Sequence, residues 1–374
     1  MAGWNSHGER ECRKRLEAEK TKFYKSAKGV DHPCLTLRDQ SFEIARSNMR
    51  RYDWAKALFE SMEEQSDYYA DRSESWVERM VPELTPLHVY GTFCPVCQAD
   101  NTYRMVWDYQ DPDRLVCFHC GATMSDQAFP ELGRLEMPRS GQVMTYYLRP
   151  EEEDDRQFKT GRNAYTWAGR KVHTSYQGAI RQKKTHHMSG VARNLAIMYK
   201  MTGKDRYARV AASVLRRFAA VYPNYLLHDY WNTYMDCDPL FAVELMAKDK
   251  GIGKFEVNAC PDQKARSPMK SGKLIQTFWG CGRLSCGGIM TEADHVGVLA
   301  EAMDLLWNEK DEKGRLFISD ADRETVVRDL ICEALFTFTH WEGINNKVAG
   351  CRVGEVAFGR FLGLPKYVHK GVDG

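Results

Sequence analysis

Apolar residues recur at three- and four-residue spacing through most of the chain, the pattern of helices with one buried face. Between about 38 and 82 this spacing puts Phe42, Ala45, Met49, Tyr52 and Phe59 near one face. A second helix there holds Trp76, Met80 and Val81 and stops at Pro82. The clearest hairpin follows later. Residues 191–201 read as one helix, and the Thr202-Gly203-Lys204-Asp205 stretch reads as a turn with Gly203 suited to the helix C-cap. Residues 206–222 read as the second helix, ended by Pro223. Its Tyr207, Val210, Ala211, Val214, Leu215, Phe218 and Val221 form the buried face. Further helices are predicted at about 238–248, 292–309, 321–339 and 349–362. In the third of these, Asp320 or Asp322 is the expected N-cap, and Val326, Leu330, Ile331, Leu335 and Phe338 share a stripe. Gly363 follows the last.

Three stretches break the helical period. Residues 88–125 carry paired cysteines, Gly, Pro and short β-prone runs at 103–107 and 115–118, so a ribbon of short strands is expected. Residues 126–165 read as irregular, with Pro130, Pro138, Gly141 and Pro150, and the acidic run 151–155 reads as a solvated loop. Residues 250–290 are rich in Gly, Lys and Cys and read as a long loop, a length that is uncommon unless functional. The expected organisation is N-terminal helices over 1–87, an inserted ribbon over 88–125, and further helices over 126–374. The fold class is mainly α, built of consecutive antiparallel helices with functional loops between them.

Composition narrows the function classes. Hydrophobic residues are 43% and charged residues 28% of the 374, which supports a packed core and argues against disorder. Lys and Arg number 53 against 51 Asp and Glu, so no global positive field calls for a nucleic-acid partner. Aromatic residues are plentiful: most belong in the core, and some can serve as platforms for sugar rings. The first twenty residues are charged and lack the apolar centre of a signal peptide, and no stretch approaches the roughly 18 apolar residues of a membrane span. Eight cysteines outside the ribbon (Cys12, Cys34, Cys237, Cys260, Cys281, Cys286, Cys332 and Cys351) form no regular framework, which favours free thiols in a reducing compartment. The expected location is therefore the cytoplasm, or the periplasm or exterior if the N-terminus is truncated.

The ribbon holds the strongest chemical signal. Cys94-Pro-Val-Cys97 and Cys117-Phe-His-Cys120-Gly121 are two CxxC knuckles, and each presents two thiolates from one tight turn. Four thiolates suit a tetrahedral structural Zn2+ and leave no open position for catalysis. His119 lies between two ligands and should point outward. Arg104 and Arg114 are offset by Asp100, Asp108, Asp111 and Asp113, so the ribbon lacks the basic face of a nucleic-acid binder. Bracing a large loop of the helical domain is its expected job.

Taken together, several of these features resemble the helical domain of heparinase II/III-like polysaccharide lyases. They are the Trp54-Ala-Lys-Ala-Leu-Phe helix, the cysteine ribbon, the hairpin from Leu195 through Gly203 to Tyr207, and Asn345-Asn346-Lys347 before a helix of small residues ending in Leu362-Gly363. The resemblance covers most of the chain. It implies an incomplete (α/α) toroid with a groove for an acidic polysaccharide, and β-elimination at a uronic acid. An Asn neutralises the uronate carboxylate and a Tyr or His removes the adjacent proton. Asn346 best matches that Asn, with Asn345 as its alternate; a helix N-cap is the other use for Asn346. The family's Tyr and His lie beyond the Asn, in the last helices and a following β-sandwich, so the resemblance implies a lyase that is incomplete as the sequence stands. A non-catalytic anionic-glycan-binding toroid and an α/α-toroid glycoside hydrolase using Asp229, Asp236, Asp238 or Glu292 are the alternatives.

Other residues are substrate-binding candidates. His186 and His187 follow Arg181, Lys183 and Lys184 and are expected in a cationic stretch ahead of the hairpin, facing uronates or merely solvated. Trp231 and Tyr234 lie in an aromatic and polar loop suited to sugar stacking. Arg283 can pair bidentately with a carboxylate, and Glu292 lies just beyond its Gly-rich loop.

Overall fold

The computed structural model describes residues 7–86, 94, 96–97, 105–125, 133–136, 140–148, 164–167, 170–174, 176–228, 237–248, 282–284, 290–340 and 346–373. The protein is mainly helical. Chain contacts divide it into two compact units, one of residues 1–14, 82–185 and 224–292, the other of residues 15–81, 186–223 and 293–374.

The second unit carries most of the helices. α1 (His7–Ala27) occupies the charged N-terminal run, where the sequence pattern pointed to no element. Its Leu16, Phe23, Tyr24 and Ala27 are buried, a narrow stripe easily lost among the surrounding charges. The helical stretch expected over 38–82 is three elements: α2 (Asp39–Arg51), α3 (Asp53–Asp67) and α4 (Glu74–Met80). Ser73 caps α4 by accepting the Trp76 N–H.

The predicted hairpin is present. α5 (Tyr176–Thr202) ends at Gly203, whose φ of +72° and N–H bond to the Tyr199 carbonyl at 2.7 Å close the helix. α6 (Asp205–Val221) buries the whole predicted face, Tyr207 through Val221. α5 starts well before residue 191, so His186 and His187 sit inside a helix rather than ahead of it.

α7 (Pro239–Lys248), α8 (Met290–Leu306), α9 (Asp320–Val326) and α10 (Glu333–Phe338) follow, with a six-residue π turn, Val327–Cys332, between the last two. The N-cap of α9 is Ser319, not Asp320 or Asp322; its hydroxyl accepts the Asp322 N–H at 3.1 Å. The two aspartates instead occupy the first turn, where negative charge meets the positive helix end. α11 (Asn346–Phe361) and α12 (Pro365–Asp373) pack closely together. At Gly354 of α11 an added Cβ would come within 2.6 Å of the Ala293 Cβ and 3.0 Å of the Phe338 ring. Only glycine lets these backbones approach so closely.

The first unit carries the strands. β1 (Met105–Asp108), β2 (Asp111–Cys117) and β3 (Thr123–Met124) form an antiparallel sheet in that order. The region expected to be irregular holds a second antiparallel sheet. Its strands β4 (Gly133–Glu136), β5 (Val143–Leu148), β6 (Ala164–Trp167) and β7 (Arg170–Thr174) are ordered β4-β5-β7-β6. Pairing such as Gly133 with Tyr146 supplies the order that short, proline-flanked segments do not specify locally. The acidic run 151–155 and most of the 250–290 loop lie outside the described residues.

Among the described residues no helix is long and apolar enough to cross a membrane. Cys12, Cys34, Cys237, Cys332 and Cys351 are free thiols, while Cys260, Cys281 and Cys286 lie outside the described residues.

Candidate functional site

The four ribbon cysteines converge. Their sulfur atoms all lie within 4.8 Å of one another, and none is in a disulfide. Cys94 and Cys120 are 3.5 Å apart, Cys97 and Cys117 3.8 Å. A tetrahedral zinc with bonds of about 2.3 Å sets its sulfurs about 3.8 Å apart, so the cluster has the size of such a shell. Burial pushes the Cys94 thiol up, while the N–H groups of Cys97 and Val96 pull it down. The Ala122 N–H, as the leading influence, holds the exposed Cys120 thiol down to about 7. Backbone donors aimed at sulfur favour the thiolate, the form that binds metal.

Local structure explains the convergence. β2 ends on Cys117, and a tight turn returns the Gly121 N–H to the Cys117 carbonyl at 2.9 Å, with Gly121 at φ +70°. Beneath the cysteines, Met105, Leu115 and Met124 pack with Tyr176, Ala179 and Ile180 of α5. The Lys184 ammonium pairs with Asp113, fixing the same helix to β2. His119 is exposed, as its position between ligands implied. Cys94, Cys97, Cys117 and Cys120 thus form a metal-competent cluster seated on one helix.

In the second unit a pocket of about 590 Å³ opens between α8 and α11. Arg193, Arg352 and Arg360 line it with Asp294 and Glu301. Its apolar wall includes Val298, Val353 and Ala357. The Arg193 guanidinium pairs with Glu301, which also accepts the Thr36 hydroxyl at 2.7 Å. Arg352 and Lys370 both reach the fully buried Glu355, at 2.6 and 3.0 Å. Arg360 donates to the Cys34 carbonyl at 2.7 Å. Burial holds the Asp294 carboxyl above its ordinary value. These three arginines were not singled out in the sequence. Arg352 and Arg360 share α11 while Arg193 lies on α5, and packing brings the two helices together.

The sequence candidates fall as follows. His187 lies half-buried on α5, and its Nε2 meets the Tyr69 hydroxyl at 2.8 Å beside a pocket of about 130 Å³ that also includes Asn194. Burial lowers its basicity, so the neutral ring is favoured. His186 stacks on His295 with ring centres 3.8 Å apart, and His295 Nδ1 is 3.1 Å from the Ser189 hydroxyl. The two histidines thus head different clusters rather than one cationic patch.

Arg283 and Glu292 are fully buried. One Glu292 oxygen accepts the backbone N–H groups of Arg283 and Leu284, the latter at 2.9 Å, and Arg283 Nε donates to the Tyr225 carbonyl at 3.1 Å. Their hydrogen bonds organise a chain crossing inside the first unit instead of presenting charge to solvent. Asp238, a hydrolase candidate, caps α7 through the Leu240 N–H at 2.9 Å and pairs with Arg13 at 2.7 Å. Asn345, Trp231, Tyr234, Asp229 and Asp236 lie outside the described residues, as does the side chain of Asn346. The Asn346 backbone opens α11, so it is the first residue of the helix rather than the residue preceding it. No family model, curated protein or solved structure matches the chain.

Two buried imidazoles make stability depend on pH. Burial, the dominant influence on each, holds His228 and His295 down to about 4. In the unfolded chain both titrate near about 6.5. Between those values the unfolded state binds protons that the native state refuses, so stability rises with pH. The contribution is complete above about pH 6.5 and is lost as pH falls toward 4, at roughly 3 kcal/mol per histidine. The melting temperature should fall steeply over this window, and His295→Gln should flatten the slope. A slope unchanged in that variant would remove His295 from the account.

Proposed function

We propose that this chain is the helical part of a lyase that cleaves uronate-containing polysaccharides by β-elimination. The pocket between α8 and α11 carries the reading. A volume of about 590 Å³ accommodates more than one pyranose ring, and three guanidinium groups beside an apolar wall suit a sugar that bears a carboxylate. The same helix α11 begins at Asn346, the residue whose amide would neutralise the carboxylate next to the proton to be removed. In this reading the helices form an incomplete (α/α) toroid. The ribbon cysteines hold a structural Zn2+ that braces the strands and takes no part in the chemistry.

The proton is removed by a Tyr or His. The Tyr69–His187 pair, beside the smaller pocket, is a candidate for this role, since a neutral imidazole can accept the phenol proton. The test is ultraviolet absorbance of the unsaturated product during incubation with alginate, heparan and ulvan-type polymers. Turnover is expected on one of them, with KM raised at least tenfold by Arg360→Ala. Silence across the panel would sink the lyase. Retained binding to the same polymers, weakened by Arg360→Ala, would then identify a non-catalytic glycan-binding protein.

A further inference from the structure

We propose that His32, Cys34 and Asp304 form a second transition-metal site, of three protein ligands and an open fourth position, which takes Zn2+ independently of the cysteine ribbon. All three donor atoms lie within 4.8 Å of one another. His32 and Asp304 are fully buried as side chains, while Cys34 is partly exposed. The proposal does not rest on the lyase reading.

The arrangement of the imidazole carries the argument. His32 Nε2 faces the Ala27 carbonyl at 3.2 Å, and a carbonyl can only accept, so Nε2 bears a proton. The ring is held in that orientation by stacking on Trp307, with ring centres 4.3 Å apart. In the neutral ring this leaves the Nδ1 lone pair pointing at Asp304 Oδ1, only 2.6 Å away. At that distance a single proton bridges Nδ1 and Oδ1, and it is this proton that the metal would replace. A histidine that donates one ring nitrogen to a backbone carbonyl and turns the other toward a carboxylate and a thiol has the outer support usual for a metal ligand.

The other two ligands are equally constrained. Asp304 accepts the backbone N–H groups of Cys34 at 2.9 Å and Leu35 at 2.8 Å, which fixes the carboxylate from the side away from the imidazole. Cys34 Sγ lies 3.5 Å from Asp304 Oδ1 and 3.8 Å from His32 Nδ1. Sulfur-to-nitrogen and sulfur-to-oxygen edges of a tetrahedral zinc are about 3.6 Å, so both match. The nitrogen-to-oxygen edge must open to about 3.3 Å as the metal enters. Nitrogen, sulfur and oxygen donors together suit Zn2+ and Co2+ better than Mg2+ or Ca2+, which prefer oxygen alone. Binding exchanges the protons between the three ligands for the metal and releases them to solvent.

The competing occupant of the gap is a proton, which would make the site a buried imidazolium–carboxylate pair with no metal. Metal content separates the two. The full chain is equilibrated with excess Zn2+, passed through a desalting column and measured by mass spectrometry. Cys34→Ser should lose one zinc equivalent per chain relative to wild type, with its circular dichroism unchanged. Cys97→Ser/Cys120→Ser should lose a different equivalent, and the triple variant both. With Co2+, the equivalent lost in Cys34→Ser should carry the weak sulfur-to-metal absorbance of one thiolate, well below that of the ribbon. Equal zinc content in wild type and Cys34→Ser would overturn the proposal and leave the proton as the cation. So would a Cys34→Ser loss whose cobalt spectrum is that of four thiolates.

Discussion

With Zn2+ on the four ribbon cysteines as proposed, Cys117→Ser should release it and unfold residues 105–124 locally. Structural zinc contributes on the order of 10 kcal/mol or more to small Cys-rich modules. The apolar residues beneath the ribbon are few: Met105, Leu115 and Met124, with Trp107 and Ala122 at their edge and Tyr176, Ala179 and Ile180 of α5 against them. So small a core does not offset the chain entropy of ordering three short strands without the ion. Cys117 is the ligand to choose because it is buried, ends β2, and accepts the Gly121 N–H that shapes the knuckle. A serine there keeps the volume but loses a thiolate, leaving three ligands and a weakened site. The expected readouts are loss of one zinc equivalent, protease cleavage within the ribbon, and loss of near-ultraviolet signal from Trp107, whose indole N–H is held by the Pro112 carbonyl at 2.9 Å. Chelation of the wild-type protein should reproduce all three. Wild-type protease resistance in a metal-free Cys117→Ser protein would mean the ribbon stands on packing alone.

The second large effect is expected at Lys20. Its ammonium is buried, lying 2.5 Å from the fully buried Glu333, 2.7 Å from Glu17 and 3.5 Å from Asp329. Lys20→Met removes the cation on which Glu333 depends inside the core. Breaking one side of a buried ion pair typically costs about 3–5 kcal/mol, because the remaining charge keeps its desolvation penalty. Glu17 and Asp329 are about one-third exposed and recover water; Glu333 does not. The double variant Lys20→Met/Glu333→Met should therefore be far more stable than Lys20→Met alone, since neither charge remains in the core. Denaturant unfolding of the two single variants and the double variant gives the coupling directly. Additive losses would show that Glu333 is supported by groups other than Lys20.

How much of this was legible beforehand follows from the range of the interactions. The hairpin α5–α6 was readable because its apolar period, its Gly203 cap and its Pro223 stop are all local to the chain. The knuckles were readable for the same reason, since each CxxC pair is one tight turn. The α9 cap was misplaced by one or three residues because Ser319, Asp320 and Asp322 are all competent caps, and the first turn's placement selects among them. The four-stranded sheet was not readable at all. Its segments carry no decisive period, and the central β5–β7 pairing joins residues more than twenty positions apart.

The sequence by itself determined a mainly helical chain, the buried face of α6, the stripe from Val326 to Phe338, and the identity of the four ribbon thiols. These depend on side-chain period and short-range spacing. Tertiary structure alone decided the rest. It gathered Arg193, Arg352 and Arg360 around one pocket, and it buried Arg283 and Glu292. It also brought His32 and Cys34 to Asp304, some 270 residues distant in the chain. A lone histidine, cysteine or aspartate carries no record of its partners. Their chemistry arises when packing removes water and sets the donor atoms a few ångströms apart.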